Sequence, residues 1–454
     1  MNRSREKWDS NVGFVLAAAG SAIGLGNIWR FPYETGQNGG AGFVLIYVIF
    51  VVIIGLPVMI AELAVGRKTE RNPVGAFRQL APGSLWVLVG ILGVATGIGI
   101  LSYYSVIAGW TFGYFFKTIS GSFTRVADGD SLMATFEGFV SNPSAAIGYL
   151  IVFIAITAVV VMGGVSGGIE RWAKVLMPML FVLLVLLTLR SITLPGATQG
   201  LTFYLKPDFS KIGAVMIAKA LGQALFSLSL GMGAMITYGS YLSKKDNLFS
   251  SAVYVCLFDT LIAVLAGLMI FPALFAMEMD PAGGPGLVFV VLPSIFARMP
   301  LGDIFGAGFF LLLTIAALTS TISLLEVPVA FLVDEWHWKR RNAVFAMAAL
   351  AFVLGVPSAL SLGAVDWLSK IPLIGIGFLD LANVMMGNYS LTFGAMLIAL
   401  FVAYKWGVKS VMQEIEQHGV RFHFKGFWSI LIRFICPVAI LLIFVYIIWT
   451  RNYF

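Results

Sequence analysis

Two short stretches decide the fold: Gly20-Ser21-Ala22-Ile23-Gly24-Leu25-Gly26-Asn27 in the first apolar run, and Ser227-Leu228-Ser229-Leu230-Gly231-Met232-Gly233 in the other half of the chain. Each sets a Gly-x-Gly among hydroxyl or amide side chains in the middle of what would otherwise be a membrane helix. Glycine is ~1 kcal/mol worse than alanine inside a helix, so paired glycines make local unwinding easy. Unwound backbone at that depth must line a cavity, because lipid offers it no hydrogen bonds. One such stretch reads as tight packing of small residues against a neighbouring helix. Two of them, each opening one half of the chain, read as a binding site between inverted repeats.

The remaining composition agrees. Of 454 residues 59% are hydrophobic and 11% charged, with a mean hydropathy of +0.94. A soluble chain has about 45–50% apolar and about 25% charged residues, so this one is a polytopic membrane protein. Cys256 and Cys436 both lie in apolar runs, which excludes a disulfide framework and a cysteine metal site. His337, His418 and His423 lie in polar connectors, so no histidine relay is available at depth.

Cutting at charged or Gly/Pro-rich breaks leaves eleven runs long enough to cross a bilayer, near 11–33, 41–66, 87–117, 144–163, 168–190, 213–242, 249–277, 303–333, 341–360, 378–404 and 427–449. These are numbered helices 1 to 11. The start MNRSREKW is polar and has no cleavable signal pattern, so helix 1 is expected in the mature protein. Arg3, Arg5, Lys7, Arg67, Lys68, Arg71, Arg78, Arg171, Lys174, Lys244, Lys245, Lys339, Arg340, Arg341, Lys405, Lys409, Arg421 and Lys425 fall on one set of loops. The opposite loops hold few cations: Lys117, Arg125, Lys206, Arg298 and Lys370. The positive-inside rule then predicts a cytoplasmic N-terminus and, for eleven spans of the plasma membrane, Phe454 outside. Topology accounts for the net charge of +7, and a nucleic-acid partner need not be invoked.

The stretch GSAIGLGNIWRFPYETGQNGGAGFVLIYVIF, followed by GLPVMIAELAVGR, resembles the signature of the neurotransmitter:sodium symporter family. So do GGIERWAKVLMP, GQALFSLSLGMGAMITYGSYL and ALTSTISLLEVPVAFLVDE. The likeness runs from Arg5 to about helix 10 and is nearest to bacterial members with eleven spans. It implies an all-α leucine-transporter-like fold with a 5+5 inverted repeat. Residues 1–10 would form an N-terminal gate segment, 11–190 the first repeat, 213–404 the second, and 427–449 a peripheral helix. It also implies sodium-coupled uptake by alternating access, with two Na⁺ ions and the solute near the midplane.

Residue by residue, the resemblance places the solute carboxylate on the amides of Gly24, Leu25 and Gly26 and on the Tyr104 hydroxyl. Amides at the start of a half-helix attract an anion, and freed carbonyls hold cations. Gly24 is informative because monoamine carriers place an Asp there, so glycine implies that the ligand brings its own carboxylate. The side-chain pocket would comprise Ile100, Phe226, Met232, Thr321 and Leu324, with Ser227 and Ser229 at the second break. Methionine re-packs around ligands of different shape, which points to large hydrophobic and aromatic L-amino acids. The first sodium site would use Ala22, Asn27, Ser227 and Asp259; the second, Gly20, Ile23, Ala316, Thr319 and Ser320. Such hard oxygens suit a hard cation, although Thr319 and Ser320 alone could merely back-bond their own helix. Arg30 would pair across an outer vestibule with Asp380 or Asn383 of helix 10, and Tyr104 and Phe226 would close over the solute. Arg5 and Asp334, beside Trp8 and Tyr241, match the inner gate.

Two further expectations concern motion and charge. Gly168 and Pro178 in helix 5 mark a hinge whose cytoplasmic end unwinds, since proline leaves a carbonyl without its donor. Chloride-dependent members hold the anion with Tyr, Gln and two hydroxyls; here Tyr47, Gln223 and Ser227 match, but Ala263 replaces one hydroxyl. Asp259 would supply the negative charge instead, and a dry, ion-free site would favour its protonation on the return step. An intramembrane enzyme would need a catalytic constellation at depth, and a channel would need filter rings, usually with oligomeric symmetry. A sensor of the same fold without net transport is the nearest alternative. No pattern here specifies an oligomeric state; lipid and a small-molecule amino acid are the implied partners.

Overall fold

The computed structural model describes residues 5–123, 129–280, 286–417 and 422–450. Arg3, Arg125, His418, Arg421 and Phe454, which enter the charge and topology readings, lie outside them. Among the described residues there is no strand, and nine helices are long and apolar enough to cross a membrane. They are Ala41–Thr69 (helix 2), Val87–Ile119 (3), Pro143–Met162 (4), Val165–Ile192 (5), Leu248–Ala276 (7), Gly302–Glu335 (8), Arg340–Leu360 (9), Phe378–Ile415 (10) and Lys425–Thr450 (11). Helix 1 is a bent pair, Asn11–Ala22 (1a) and Gly26–Gln37 (1b), turning by 51° at the break. Helix 6 is likewise two pieces, Ala214–Ser227 (6a) and Ala234–Gly239 (6b), so neither piece alone reaches spanning length.

Helix 8 is the central element: 78% of its apolar window is buried, against 39% for helices 5, 9 and 11, whose outer faces carry the lipid-facing side chains. It packs along helix 3, and helix 9 lies across helices 3 and 4. Helix 1a rests on helices 5, 7 and 8, and helix 6b on helix 2. That last contact is close because both sides offer glycine: a Cβ on Gly66 would lie 2.0 Å from the Ile236 carbonyl oxygen, and one on Gly239 2.7 Å from that of Leu63. Small residues let membrane helices approach this closely, where dispersion is strongest. Helix 11 packs mainly on helix 10.

The spans agree with the sequence cuts to within a few residues, except at helix 10. There the helical run reaches Ile415, but Gly407 (φ 88°, ψ 137°) interrupts it and sets off a short final helix, Val408–Ile415. Charge at Lys405 ends the apolar run just before that break, and the short helix beyond it is held by the buried ion pair of Glu414 with Arg67, 2.9 Å. Connector helices Pro73–Leu80, Gly129–Val140, Ala197–Leu205 and the elements from Leu287 to Arg298 are too short to show as spans.

Candidate functional site

Both glycine-containing stretches are unwound. Helix 1a leaves helical geometry at Ile23 (ψ 105°). In helix 6 the chain passes Ser229 (φ 54°), Gly231 (φ 86°) and Gly233 (φ 75°) before 6b begins. Left-handed backbone of this kind needs outside support in a non-glycine residue. Ser229 receives it by donating from its hydroxyl to the Ser21 carbonyl at 2.9 Å, which ties one break to the other. The Gly231 N–H donates to the Glu62 carboxylate at 2.7 Å.

Freed groups of helix 1 find partners across the cavity. The Leu25 N–H donates to the Tyr104 hydroxyl at 2.7 Å, and the Gly24 N–H to Asn27 Oδ1 at 3.2 Å. A Cβ on Gly24 would lie 2.4 Å from Ser320 Oγ and 2.6 Å from the Tyr104 hydroxyl, so no side chain fits there. A cavity between the breaks is lined by Gly24, Gly26, Ile100, Tyr104, Phe226, Met232 and Leu324, with Ser227, Ser229 and Ser320 on its polar side.

One expected pocket residue is placed elsewhere. Thr321 turns away: its hydroxyl meets that of Thr157 on helix 4 at 2.8 Å and donates to the Leu318 carbonyl. One residue advances a helix by about 100°, so the face that carries Ser320 and Leu324, four apart, excludes Thr321. Leu25 presents its amide to Tyr104, and its side chain lines the outer cavity.

Asp259 is fully buried in helix 7 and collects donors from three helices. Asn27 Nδ2 reaches its Oδ1 at 2.8 Å, Ser227 Oγ both oxygens at 2.9 and 3.0 Å, and the Tyr47 hydroxyl its Oδ2 at 3.0 Å. Gln223 donates to the Gly26 carbonyl at 2.7 Å, and Ala263 is buried nearby on helix 7. The second group also converges: Thr319 Oγ1 lies 3.4 Å and Ser320 Oγ 3.5 Å from the Ile23 carbonyl. Thr319 also donates to Ala316 O at 3.0 Å, and a Cβ on Gly20 would lie 3.2 Å from Thr319 Cβ. Among the described residues no group of three His, Cys, Asp or Glu could hold a metal. These clusters of carbonyl, hydroxyl, amide and single-carboxylate oxygens instead fit a hard monovalent cation.

Beyond Tyr104, Phe226 and Gly26, which line both cavities, lies a vestibule of about 250 Å³. Arg30, Tyr103, Trp110, Asp380 and Asn383 are in its wall. The Arg30 guanidinium sits 4.6 Å from the Phe226 ring centroid, and Asn383 Oδ1 accepts from the Tyr103 hydroxyl at 3.2 Å.

The opposite, basic end is shut. Arg5 pairs with Asp334 at 2.5 Å, donates to Ser240 Oγ at 2.6 Å, and lies 4.6 Å over the Tyr241 ring. Trp8, 7% exposed, donates from its ring to the Tyr238 carbonyl at 3.1 Å. Helix 5 starts as π-helix over Val165–Glu170, which contains Gly168, and Pro178 lies inside the following α-helix.

Sequence reasoning missed the buried acids Glu62, Glu326 and Glu170. Glu326 accepts from the Tyr241 hydroxyl at 2.6 Å and pairs with Arg340 at 2.5 Å. Their signal was present, since an ionisable residue inside an apolar run is costly and marks a function or a partner. Ser21, which meets Ser323 at 2.6 Å, carried no such signal.

Comparison with known proteins agrees with this geometry. The sequence profile described as the sodium:neurotransmitter symporter family matches residues 5–127 and 137–453. The chain is 42% identical over 450 residues to the sodium-dependent transporter YhdH of Bacillus subtilis, covering 98% of each. It is 29% identical over 498 residues to the sodium-dependent serotonin transporter of Drosophila melanogaster, covering 98% of this chain and 76% of that one. The crystal structure of MhsT in complex with L-phenylalanine superposes with a TM-score of 0.90 at 45% identity, over 97% of this chain and 99% of that one. The relatives are transporters rather than enzymes, and the leucine-transporter-like helical fold is shared. This chain is a membrane-spanning, sodium-dependent transporter and belongs to the sodium:neurotransmitter symporter family.

Proposed function

We propose that the protein couples Na⁺ entry to the uptake of large hydrophobic and aromatic L-amino acids, without chloride. One observation carries the reading. The Gly24–Gly26 break and the Tyr104 hydroxyl face a pocket whose remaining wall is Ile100, Phe226, Met232 and Leu324. An amino-acid carboxylate meets amides and a phenol there, and an apolar side chain meets apolar walls. A buried charge left unmatched would cost several kcal/mol, so the site selects a ligand with its own carboxylate. The phenylalanine complex of MhsT supports that substrate class.

Two Na⁺ ions complete the account. Ala22, Asn27, Ser227 and Asp259 would hold one beside the solute carboxylate; Gly20, Ile23, Ala316, Thr319 and Ser320 would hold the other between helices 1 and 8. Because the carboxylate is shared, ion and solute each raise the other's affinity by the same factor. Asp259 already offsets cationic charge, and Ala263 offers no donor to an anion, which removes the need for chloride. Alternating access would exchange the two ends of residues 11–190 and 213–404. Arg30 with Asp380 would form the outer gate, since Asn383 is engaged by Tyr103. Arg5 with Asp334 would form the inner, cytoplasmic one, and Gly168 and Pro178 the helix 5 hinge. Uptake of labelled L-phenylalanine into proteoliposomes tests the reading: it should collapse when choline replaces Na⁺, and undiminished uptake would overturn it. Counterflow of labelled solute distinguishes a carrier from a sensor.

A further inference from the structure

Helix 5 finishes, away from the basic end, on Arg190, Ser191 and Ile192. Successive helical residues point about 100° apart, and here the first two divide between surface and interior. Arg190 is half-buried; its guanidinium lies 5.6 Å from the Phe305 ring centroid and enters no ion pair among the described residues. Ser191 is 4% exposed, and its hydroxyl has no hydrogen-bond partner among those residues. Its neighbours behave differently: Thr188 donates to the Leu265 carbonyl and Thr193 to the Arg190 carbonyl. A serine in a helix can bond back to a carbonyl one turn earlier, so a buried hydroxyl that does not do so calls for an explanation.

Both residues line a crevice between helices 5, 7 and 8 and the connector Leu287–Arg298. The rest of its wall is apolar and includes Leu187, Met269, Ala273, Phe296, Met299 and Phe309. Phe309 stands seven residues past the start of helix 8 at Gly302, which puts it about 10 Å into the apolar layer. Leu189 and Ile304, next in sequence to Arg190 and Phe305, are exposed in the manner of lipid-facing side chains. Two methionines in the wall can re-pack around a flexible chain. From surface to interior the order is cation, hydroxyl donor, apolar slot. A glycerophospholipid carries its groups in the same order: phosphate, ester carbonyl, acyl chain. Arginine meets phosphate with charge-assisted hydrogen bonds.

We propose that this crevice binds an anionic phospholipid, its phosphate on Arg190, an ester carbonyl accepting from Ser191, and one acyl chain between Met269 and Met299. The chain braces the connector from the membrane side. On its other side the connector sets Phe289 6.0 Å from Trp29 of helix 1b and 5.8 Å from Trp110 of helix 3, all in the vestibule wall. The inference rests on the membrane-spanning fold and on no reading of the transported solute.

Photolabelling tests it. The purified full chain, stripped of lipid in detergent, is incubated with phosphatidylglycerol bearing a diazirine in one acyl chain, and the labelled peptides are mapped. Labelling should concentrate on the peptides that carry Met269 and Met299. R190Q should weaken it about tenfold and S191A about threefold, the charged contact being the stronger. A273F, which fills the slot and leaves Arg190 in place, should remove it. Unlabelled phosphatidylglycerol should compete, and glycerol 3-phosphate, which has no chain, should not. Hydrogen exchange of the Leu287–Arg298 amides should slow by about tenfold in the parent at ten times the lipid's dissociation constant, and not in A273F. Labelling no denser there than on the exposed face of helix 9 would overturn the site, as would equal labelling in R190Q and A273F variants that melt like the parent. Protection by glycerol 3-phosphate would replace the lipid with a free anion and refute the proposal. Unchanged exchange in the lipid-bound parent would overturn the brace. If A273F does not fold, R190Q and S191A carry the test.

Discussion

Gly24→Ala isolates the size restriction at the heart of the site. The added methyl would lie 2.4 Å from Ser320 Oγ and 2.6 Å from the Tyr104 hydroxyl, inside any tolerable contact. The backbone of the break is held by Leu25 on one side and Asn27 on the other, so the side chains must yield. Tyr104 then withdraws from the Leu25 N–H and from a ligand carboxylate. A hydrogen bond to a charged group contributes ~1.5–3 kcal/mol, and losing one of ~2 kcal/mol weakens affinity about thirtyfold. Equilibrium binding of labelled L-phenylalanine to purified protein at saturating Na⁺ should show that loss. Ser320 retreats as well, so the Na⁺ concentration for half-maximal binding should rise. Gly148→Ala, where nothing lies within 4 Å of the new methyl, is the matched control and should be silent. Affinity within twofold of the parent in Gly24→Ala would refute the placement of the carboxylate.

The other predictions follow from single contacts. Replacing chloride by gluconate should leave uptake intact, whereas Asp259→Asn, which removes the acceptor of Asn27, Ser227 and Tyr47, should lower it at least about tenfold; a large drop in gluconate would sink chloride independence. Met232→Ala should widen the pocket and favour tryptophan over leucine in competition binding, and an unchanged ranking would remove Met232 from the specificity wall. Thr321→Val should change L-phenylalanine affinity by less than about twofold, because its hydroxyl serves Thr157 rather than the cavity. Pro178→Ala restores a donor to the Lys174 carbonyl and should slow turnover while sparing equilibrium binding; turnover equal to the parent would leave Pro178 as an ordinary kink.

What the sequence disclosed and what it hid follow from the range of the interactions. The breaks in helices 1 and 6 were legible because their cause is local: glycines beside small polar residues fail as helix wherever they stand, and the positive φ of Gly231 and Gly233 records it. Span positions were legible for the same reason, since apolar length is a property of a window. Thr321 was misplaced because a motif gives the neighbourhood of a residue but not its phase, and one step along helix 8 turns a hydroxyl from the cavity to helix 4. Of the pairings across the chain, Arg5 with Asp334 was legible only through the family resemblance, and others were not legible. The ionised members of Arg67 with Glu414, Glu170 with the backbone N–H of Asp9, and Glu326 with Arg340 and Tyr241 appear in sequence as isolated charges in loops or apolar runs. Each buried acid implied a partner, because an unpaired ion at such depth is untenable, yet nothing local named the partner.

These long-range pairs are unevenly distributed, and that bears on mechanism. Arg5–Asp334 and Arg340–Glu326, with Tyr241 between them, gather at the basic end with Trp8, where the molecule is shut. At the other end a vestibule reaches down to Tyr104 and Phe226, and the wall that divides it from the inner cavity is aromatic and glycine rather than ionic. A charge pair in partial contact with water contributes ~1 kcal/mol or less, whereas breaking a buried one without a replacement costs several. The shut end can therefore open only if water or a new partner reaches its charges as they separate. The glycine-rich start of helix 5 borders this cluster, with Glu6 bonded to Val165 and 3.9 Å from Arg340. Unwinding there would admit the water that those charges require, which places a glycine-rich, π-helical segment beside the ion pairs that close this end.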